Sequence, residues 1–336
     1  KIYLRAIYDT TNLLLNFMLK KQRYLQIILT LTSLTLVSCS LFSPNNKSPE
    51  KTPNVVVEKP VNVTLTPVKN WQKNNHIHGI GVHPTNPLIV YVGTHEGLLT
   101  YNDKKQWFLV GKSKDDFMGF TTHPTDQTKF YSSGHTPKGG NLGFQITTNG
   151  GESWQQISMP NQDFHAIAIA PSNPKIIYGF ITSGNPRIMK SEDEGKNWQQ
   201  TQMTGLIDGP FNLAVNPTNP DHIYATTRYG IYESQNSGDD WLLLGDTQKT
   251  PVLGLAVSQE RDQIVLYGYR FDQSLPGIYR SYNQAKSWEK LGDIPGGVLF
   301  MAIAPSNPRI IYAVTNKNLV FQSQNFGTSW QELKNN

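Results

Sequence analysis

The 336-residue chain has a single cysteine, Cys39, so no intrachain disulfide can staple it. Charged residues are few, at 16%, against 38% apolar, which is a globular balance rather than that of a disordered chain. No long hydrophobic run is present either. The apolar stretch from Ile27 to Val37 is too short to span a bilayer comfortably. A basic surplus is missing from most of the chain. The formal net charge is +5, but Lys1, Arg5, Lys20, Lys21 and Arg23 against Asp9 put +4 of it within residues 1–38. The remaining +1 removes the electrostatic basis for a nucleic-acid partner. Beyond that segment arginine is limited to Arg187, Arg228, Arg261, Arg270, Arg280 and Arg309.

The amino-terminal segment has its own pattern. Met18 opens a basic start, Met18-Leu19-Lys20-Lys21-Gln22-Arg23, the apolar run follows, and Leu36-Val37-Ser38-Cys39 closes it. This resembles a bacterial lipoprotein signal with its lipobox. The resemblance implies an upstream extension at 1–17, a signal peptide at 18–38 and acylation of Cys39. A secretory signal of the ordinary kind, or an uncleaved signal anchor, is the alternative. Several acyl chains on Cys39 would give durable anchoring where one is marginal. Residues 39–60, rich in Ser, Pro, Asn and Lys, read as a disordered tether. The expected protein is a lipid-anchored, extracytoplasmic monomer on the outer face of the membrane or in the periplasm, with its folded domain at 61–336.

What the folded part contains is one motif written six times. A short apolar strand ends in a Pro-rich turn, a strand bearing Tyr follows, and the unit closes on Trp. The tyrosines are Tyr91, Tyr131, Tyr178, Tyr224, Tyr267 and Tyr312; the tryptophans are Trp107, Trp154, Trp198, Trp241, Trp288 and Trp330. A period of about 40–47 residues built of four short strands predicts an all-β propeller. Six four-stranded blades are expected, or seven if the segment from Val63 to Trp71 completes another. Before most of the tryptophans stands a turn of the form Ser191-Glu192-Asp193-Glu194-Gly195-Lys196-Asn197-Trp198, with Ala285 replacing Gly in the fifth copy. Here Asp or Asn accepts backbone amides and Gly supplies a positive φ. The turn resembles the Asp-box, or BNR repeat, and its role is structural.

The histidines break the symmetry. Aligning the copies on their inner strands puts His76, Asp116 and Asp163 at one position and His78, Met118 and His165 two residues later. Aligning on the tyrosines puts His95 and His135 at a second loop, with Glu96 beside His95. In an antiparallel meander both positions fall at one mouth of the central channel. Arg228, Arg270 and Asn316 would face them from the other half. Imidazoles and carboxylates converging on one mouth suit a transition metal such as zinc, and Met118 would favour copper if it were a ligand. A small polar ligand is the other occupant of such a mouth, and hydrogen bonding within loops is the structural alternative. His83 and His123, which precede prolines, are expected to be exposed, and His222 to sit in a loop.

Over residues 70–334 the chain resembles bacterial BNR-repeat proteins described as glycosyl hydrolase-like or sialidase-like. The resemblance rests on His76-Ile77-His78-Gly79, Thr94-His95-Glu96-Gly97, Asp116-Phe117-Met118-Gly119-Phe120, Ser133-Gly134-His135 and Asp163-Phe164-His165-Ala166. The Tyr-and-Trp repeat is also similar to sortilin-type propellers and photosystem II assembly factors, which implies a protein-binding alternative. As a glycosidase the chain would need two opposed carboxylates, for which Glu96, Asp116, Asp163 and Asp272 are candidates. A sialidase arginine triad is not evident, because the alignment brings only Arg228 and Arg270 to the mouth. Catalysis is therefore left open, with a binding role favoured.

Overall fold

The period of the repeat becomes geometry directly, since each copy is an antiparallel meander running outward from the channel. The computed structural model describes residues 62–247 and 250–335. Cys39, the signal-like segment and the tether to residue 60 lie outside the described residues. Innermost strand first, blade one holds Ile77–Val82, Val90–Thr94, Gly97–Tyr101 and Trp107–Val110. Blade two holds Asp116–Thr122, Phe130–His135, Phe144–Thr147 and Gln155–Ser158. Blade three holds Phe164–Ile169, Ile177–Ile181, Arg187–Ser191 and Gln199–Gln200. Blade four holds Asn212–Val215, Ile223–Thr227, Gly230–Ser234 and Leu242–Leu243. Blade five holds Val252–Glu260, Gln263–Arg270, Gly277–Ser281 and Glu289–Gly292. Blade six holds Val298–Ile303, Ile311–Thr315, Val320–Ser323 and Gln331–Glu332. Each innermost strand packs on those of its two neighbours, blade six against blade one included, so the described residues form a closed six-bladed propeller.

The segment from Val63 to Trp71 adds no seventh blade. Leu65–Pro67 instead pairs with Trp107–Val110 as a fifth, outermost strand of blade one. Closure comes from an apolar cluster shared by blades one and six, with polar bonds added to it. Trp107 donates Nε1–H to the Leu333 carbonyl at 3.0 Å and its amide to Asn335 Oδ1 at 2.7 Å. Tyr312 donates its hydroxyl to the Pro87 carbonyl at 2.8 Å, tying blade six to blade one. Tyr178 does the same between blades three and four, to Pro220 at 3.0 Å. The repeated Tyr thus fills the interior with its ring, and in blades three and six its hydroxyl also links neighbours.

The turn before Trp carries the bonds its sequence predicts. In blade three the Ser191 hydroxyl accepts the Gly195 amide at 2.8 Å, and Asp193 accepts the Asn197 amide at 2.8 Å. Gly195 sits at φ +83°, and Trp198 donates Nε1–H back to its carbonyl at 2.9 Å. Ala285 takes the same left-handed conformation, at φ 60°. These turns share an end of the ring with the Pro-rich turns, since Glu194 donates its amide to the Lys175 carbonyl and Phe326 to that of Arg309. The histidine-bearing mouth is therefore the opposite face.

One expectation about the plain histidines is corrected. His123 is buried rather than exposed, at 7% accessibility. Its Nδ1 accepts the amides of Thr125 and Asp126 at 3.1 and 2.9 Å, capping the Pro-rich turn. Asn216 does the same work in blade four with its Oδ1. His83 caps the turn of blade one, and His222 contacts Glu233 at 3.0 Å.

Candidate functional site

A one-residue irregularity decides which side chains enter the mouth. In blades one and three the register slips at His78 and His165, between Ile77 and Gly79 and between Phe164 and Ala166. A bulged residue leaves the ladder and can be re-aimed. Both imidazoles border the central cavity, about 210 Å³ in volume. In blade two the slip falls later, between Met118 and Thr121. Met118 thus stays paired with Ser133 and is buried in the sheet. Close strand approach supplies the other half of the site. Gly134 has φ +129°, and a Cβ there would lie 1.8 Å from the Asp116 carbonyl oxygen. Only glycine lets blade two pinch shut where Asp116 pairs with His135.

The result is a chain of alternating rings and carboxylates across three blades. His78 Nε2 lies 3.1 Å from His95 Nε2, and His95 Nδ1 lies 2.8 Å from Asp116 Oδ2. His135 spans the next gap, with Nδ1 3.5 Å from Asp116 Oδ2 and Nε2 3.5 Å from Asp163 Oδ2. His165 Nε2 closes the series 2.6 Å from Asp163 Oδ2. The Thr182 hydroxyl also donates to Asp163 Oδ2 at 3.3 Å, and the Asp163 amide donates to Ser183 Oγ at 3.0 Å. Two carboxylate oxygens, Asp116 Oδ1 and Asp163 Oδ1, are buried without a hydrogen-bond partner.

Electrostatics follow from burial and from these neighbours. Burial pushes the His78 imidazole down to about 4, with the His95, His76 and His165 rings adding to the effect and Asp116 opposing it. His78 is therefore neutral near pH 7, as a metal ligand must be. Burial alone would raise the Asp163 carboxyl, but the hydrogen bond and charge of His165, then His135 and Thr182, hold it below its ordinary value. One donor atom each from His78, His95 and Asp116 lies within 4.8 Å of the others.

The remaining candidates are placed differently. His76 is exposed ahead of the inner strand, its ring 5.4 Å from that of His95. Glu96 is exposed, with its amide donated to Thr94 Oγ1 at 3.2 Å. Arg228 is held by Asp208 in a two-pronged pair, at 2.7 and 3.0 Å. The Arg270 guanidinium lies over Tyr279 and Trp288, 5.1 and 5.8 Å from the ring centroids, within blade five. Asn316 is exposed and donates its amide to the Gly297 carbonyl at 2.9 Å. Asp272 caps its own loop, accepting the Ser274 amide at 2.9 Å.

Sequence reasoning missed the residues that support the cluster. Asn75 is buried, donates to Thr94 Oγ1 at 3.0 Å and accepts the His76 amide at 3.0 Å. Ser133 Oγ accepts the Phe164 amide at 3.1 Å, fixing blade three to blade two beside Asp163. Polar residues abutting a histidine cluster were the available signal. Ile207 and Phe211, 67% and 50% exposed, belong to blade four on this same face.

No protein-family model matches the chain, and no curated protein sequence matches it. Solved structures match its fold. The GH74 enzyme of Niastella koreensis aligns at TM-score 0.56 and 18% identity, covering 76% of this chain and 45% of its own. The GH74 xyloglucanase of Xanthomonas campestris aligns at TM-score 0.53 and 15% identity, covering 82% of this chain and 46% of its own. YCF48 bound to D1 peptide aligns at TM-score 0.37 and 15% identity, covering 64% of this chain and 80% of its own. This chain spans less than half the length of those GH74 enzymes. At such identities the likeness is one of propeller fold.

Proposed function

We propose that this propeller binds a divalent transition metal ion at the mouth of its channel, through His78, His95 and Asp116. One observation carries the reading: Asp116 Oδ1 is buried without a partner beside two imidazole nitrogens only 3.1 Å apart. Zinc–nitrogen bonds of about 2.0–2.1 Å place tetrahedral donors about 3.3 Å apart, so the two nitrogens stand near the required spacing. Asp116 Oδ2 against His95 Nδ1 fixes the tautomer that leaves Nε2 free to ligate. Imidazole and carboxylate without the Met118 sulfur favour zinc over copper as the resident ion. Three protein ligands leave a coordination position open, where a small polar ligand would bind. The lipobox-like segment ending at Cys39 supports placing the site outside the cytoplasmic membrane, on a lipid anchor.

The test is calorimetric titration of the metal-free protein with zinc. Saturable binding that His95→Ala abolishes supports the reading, and a protein that takes up no zinc or copper excludes it. A glycosidase reading is less well supported. Asp116 and Asp163 sit on neighbouring blades with one ring between them, rather than opposed across a groove. A second binding reading, for a glycan or protein partner, draws on exposed Phe211 and Tyr229 on the same face. A partner that still binds after all five mouth histidines are replaced would favour it.

A further inference from the structure

Asp116 faces two imidazoles with the same oxygen, His95 closely and His135 at longer range. His95 and His135 both turn Nδ1 toward Asp116 Oδ2, at 2.8 and 3.5 Å. A carboxylate facing Nδ1 selects the Nδ1–H tautomer and leaves Nε2 with its lone pair outward. The His95 lone pair then points to His78. The His135 lone pair points the other way, to Asp163 Oδ2 at 3.5 Å, where His165 Nε2 also arrives at 2.6 Å. We propose that His135, Asp163 and His165 form a second cation site, with Asp116 as the shared orienting carboxylate between the two. This rests on the first site being a metal site.

Three observations support the second site. Asp163 is 5% exposed, yet its Oδ1 is buried and has no hydrogen-bond partner. A buried carboxylate with one oxygen unsatisfied and two imidazoles beside it is ready for a cation. The donor set also repeats the first: two imidazole nitrogens and one carboxylate, from residues that the fold supplies independently. His165 comes from a bulge, like His78, and His135 from the end of a second strand, close to the position His95 takes after its own. Finally, Asp163 is pre-positioned by Thr182 and Ser183, as a ligand with supporting partners should be. The second set is less closed than the first. Its two imidazoles approach one oxygen, and an ion entering there would replace the hydrogen bond between His165 and Asp163.

The experiment is metal stoichiometry on the full chain, stripped with chelator and reloaded with zinc, then with cobalt(II) for its absorption spectrum. Two equivalents per chain are expected. His165→Ala, at a half-buried ring outside the apolar core, should leave one, and Asp163→Asn should do the same. His78→Ala should also leave one, with the cobalt spectrum of the other site. Circular dichroism on every variant separates lost metal from lost fold. One equivalent in the native protein, removed by His78→Ala and untouched by His165→Ala, overturns the second site and leaves the first standing. No equivalent at all overturns both.

Discussion

His95 reaches across the boundary between blades one and two to Asp116, its Nδ1 2.8 Å from Oδ2. The two residues belong to different repeats, so neither motif alone encodes the pair. It forms because consecutive blades pack side by side, which sets the loop after one Tyr strand beside the start of the next inner strand. The same contact orients His95 Nε2 toward His78, 3.1 Å away. A contact between blades is thereby also what prepares a ligand.

His95→Ala removes both contacts together. Loss of a partner that only orients a metal ligand costs about 10–100-fold in affinity, so loss of the ligand itself should cost more than about 100-fold. Arg228→Ala should leave affinity unchanged, because Arg228 is committed to Asp208. Competition against a zinc-responsive dye measures both.

Gly134→Ala should be among the most damaging single-methyl changes in the protein. The added carbon would fall 1.8 Å from the Asp116 carbonyl oxygen, at φ +129°. Backbone strain of this kind costs about 1–3 kcal/mol, and the clash adds to it. Thermal unfolding should show a loss of at least about 2 kcal/mol, with weaker metal binding since Asp116 must move. A variant as stable as the native protein would refute the close approach.

Trp107 and Trp71 offer a matched comparison. Their rings meet edge to face at 5.0 Å, but only Trp107 donates its Nε1–H, to the Leu333 carbonyl. Trp71 Nε1 is buried without a partner. Trp107→Phe strands a carbonyl and should cost about 1–3 kcal/mol more than Trp71→Phe, which strands nothing. Denaturant unfolding of the two variants measures the difference, and equal losses would contradict the closure described.

Blade three alone has a carboxylate at the amide-accepting position of its turn, since Asn149, Asn236, Asn283 and Asn325 take the place of Asp193 elsewhere. The Asn197 amide and side chain, with the Ser191 hydroxyl, hold Asp193 down to about 2. A folded-state pKa below the unfolded one stabilises above the unfolded value and loses that contribution as pH falls through the folded value. The native protein should therefore lose stability between about pH 4 and pH 2 that Asp193→Asn does not lose. Melting temperatures at pH 7, 5, 3 and 2 would show the gap between the two closing on the acid side. A constant gap would mean the carboxylate is not held in its ionised form.

The fold was legible because its signals are periodic. Tyr131, Tyr178 and Tyr312 recur where a buried ring is needed, and a repeated demand leaves a repeated letter. Part of the site was legible for the same reason: counting from each Tyr placed His95 and His135 on one face, and aligning the inner strands placed His78, Asp116, Asp163 and His165 there too. What counting could not see was irregularity. The bulge in blade two falls after Met118 and keeps that sulfur in the ladder, whereas it falls on His78 and His165 in their blades. Nor does position in a repeat say what a long cation will choose. Arg270 lies over Tyr279 and Trp288 because two rings are within reach, and Arg228 turns to Asp208. The fifth strand on blade one depended on register with Trp107–Val110, which no repeat announces.

The most direct measurement is an anomalous difference map at the zinc edge from crystals of the zinc-loaded protein. The account predicts a peak at ligand distance, about 2.0–2.2 Å, from nitrogens of His78 and His95 and an oxygen of Asp116. A map with no peak at the channel mouth, or with zinc held elsewhere on the propeller, would contradict it.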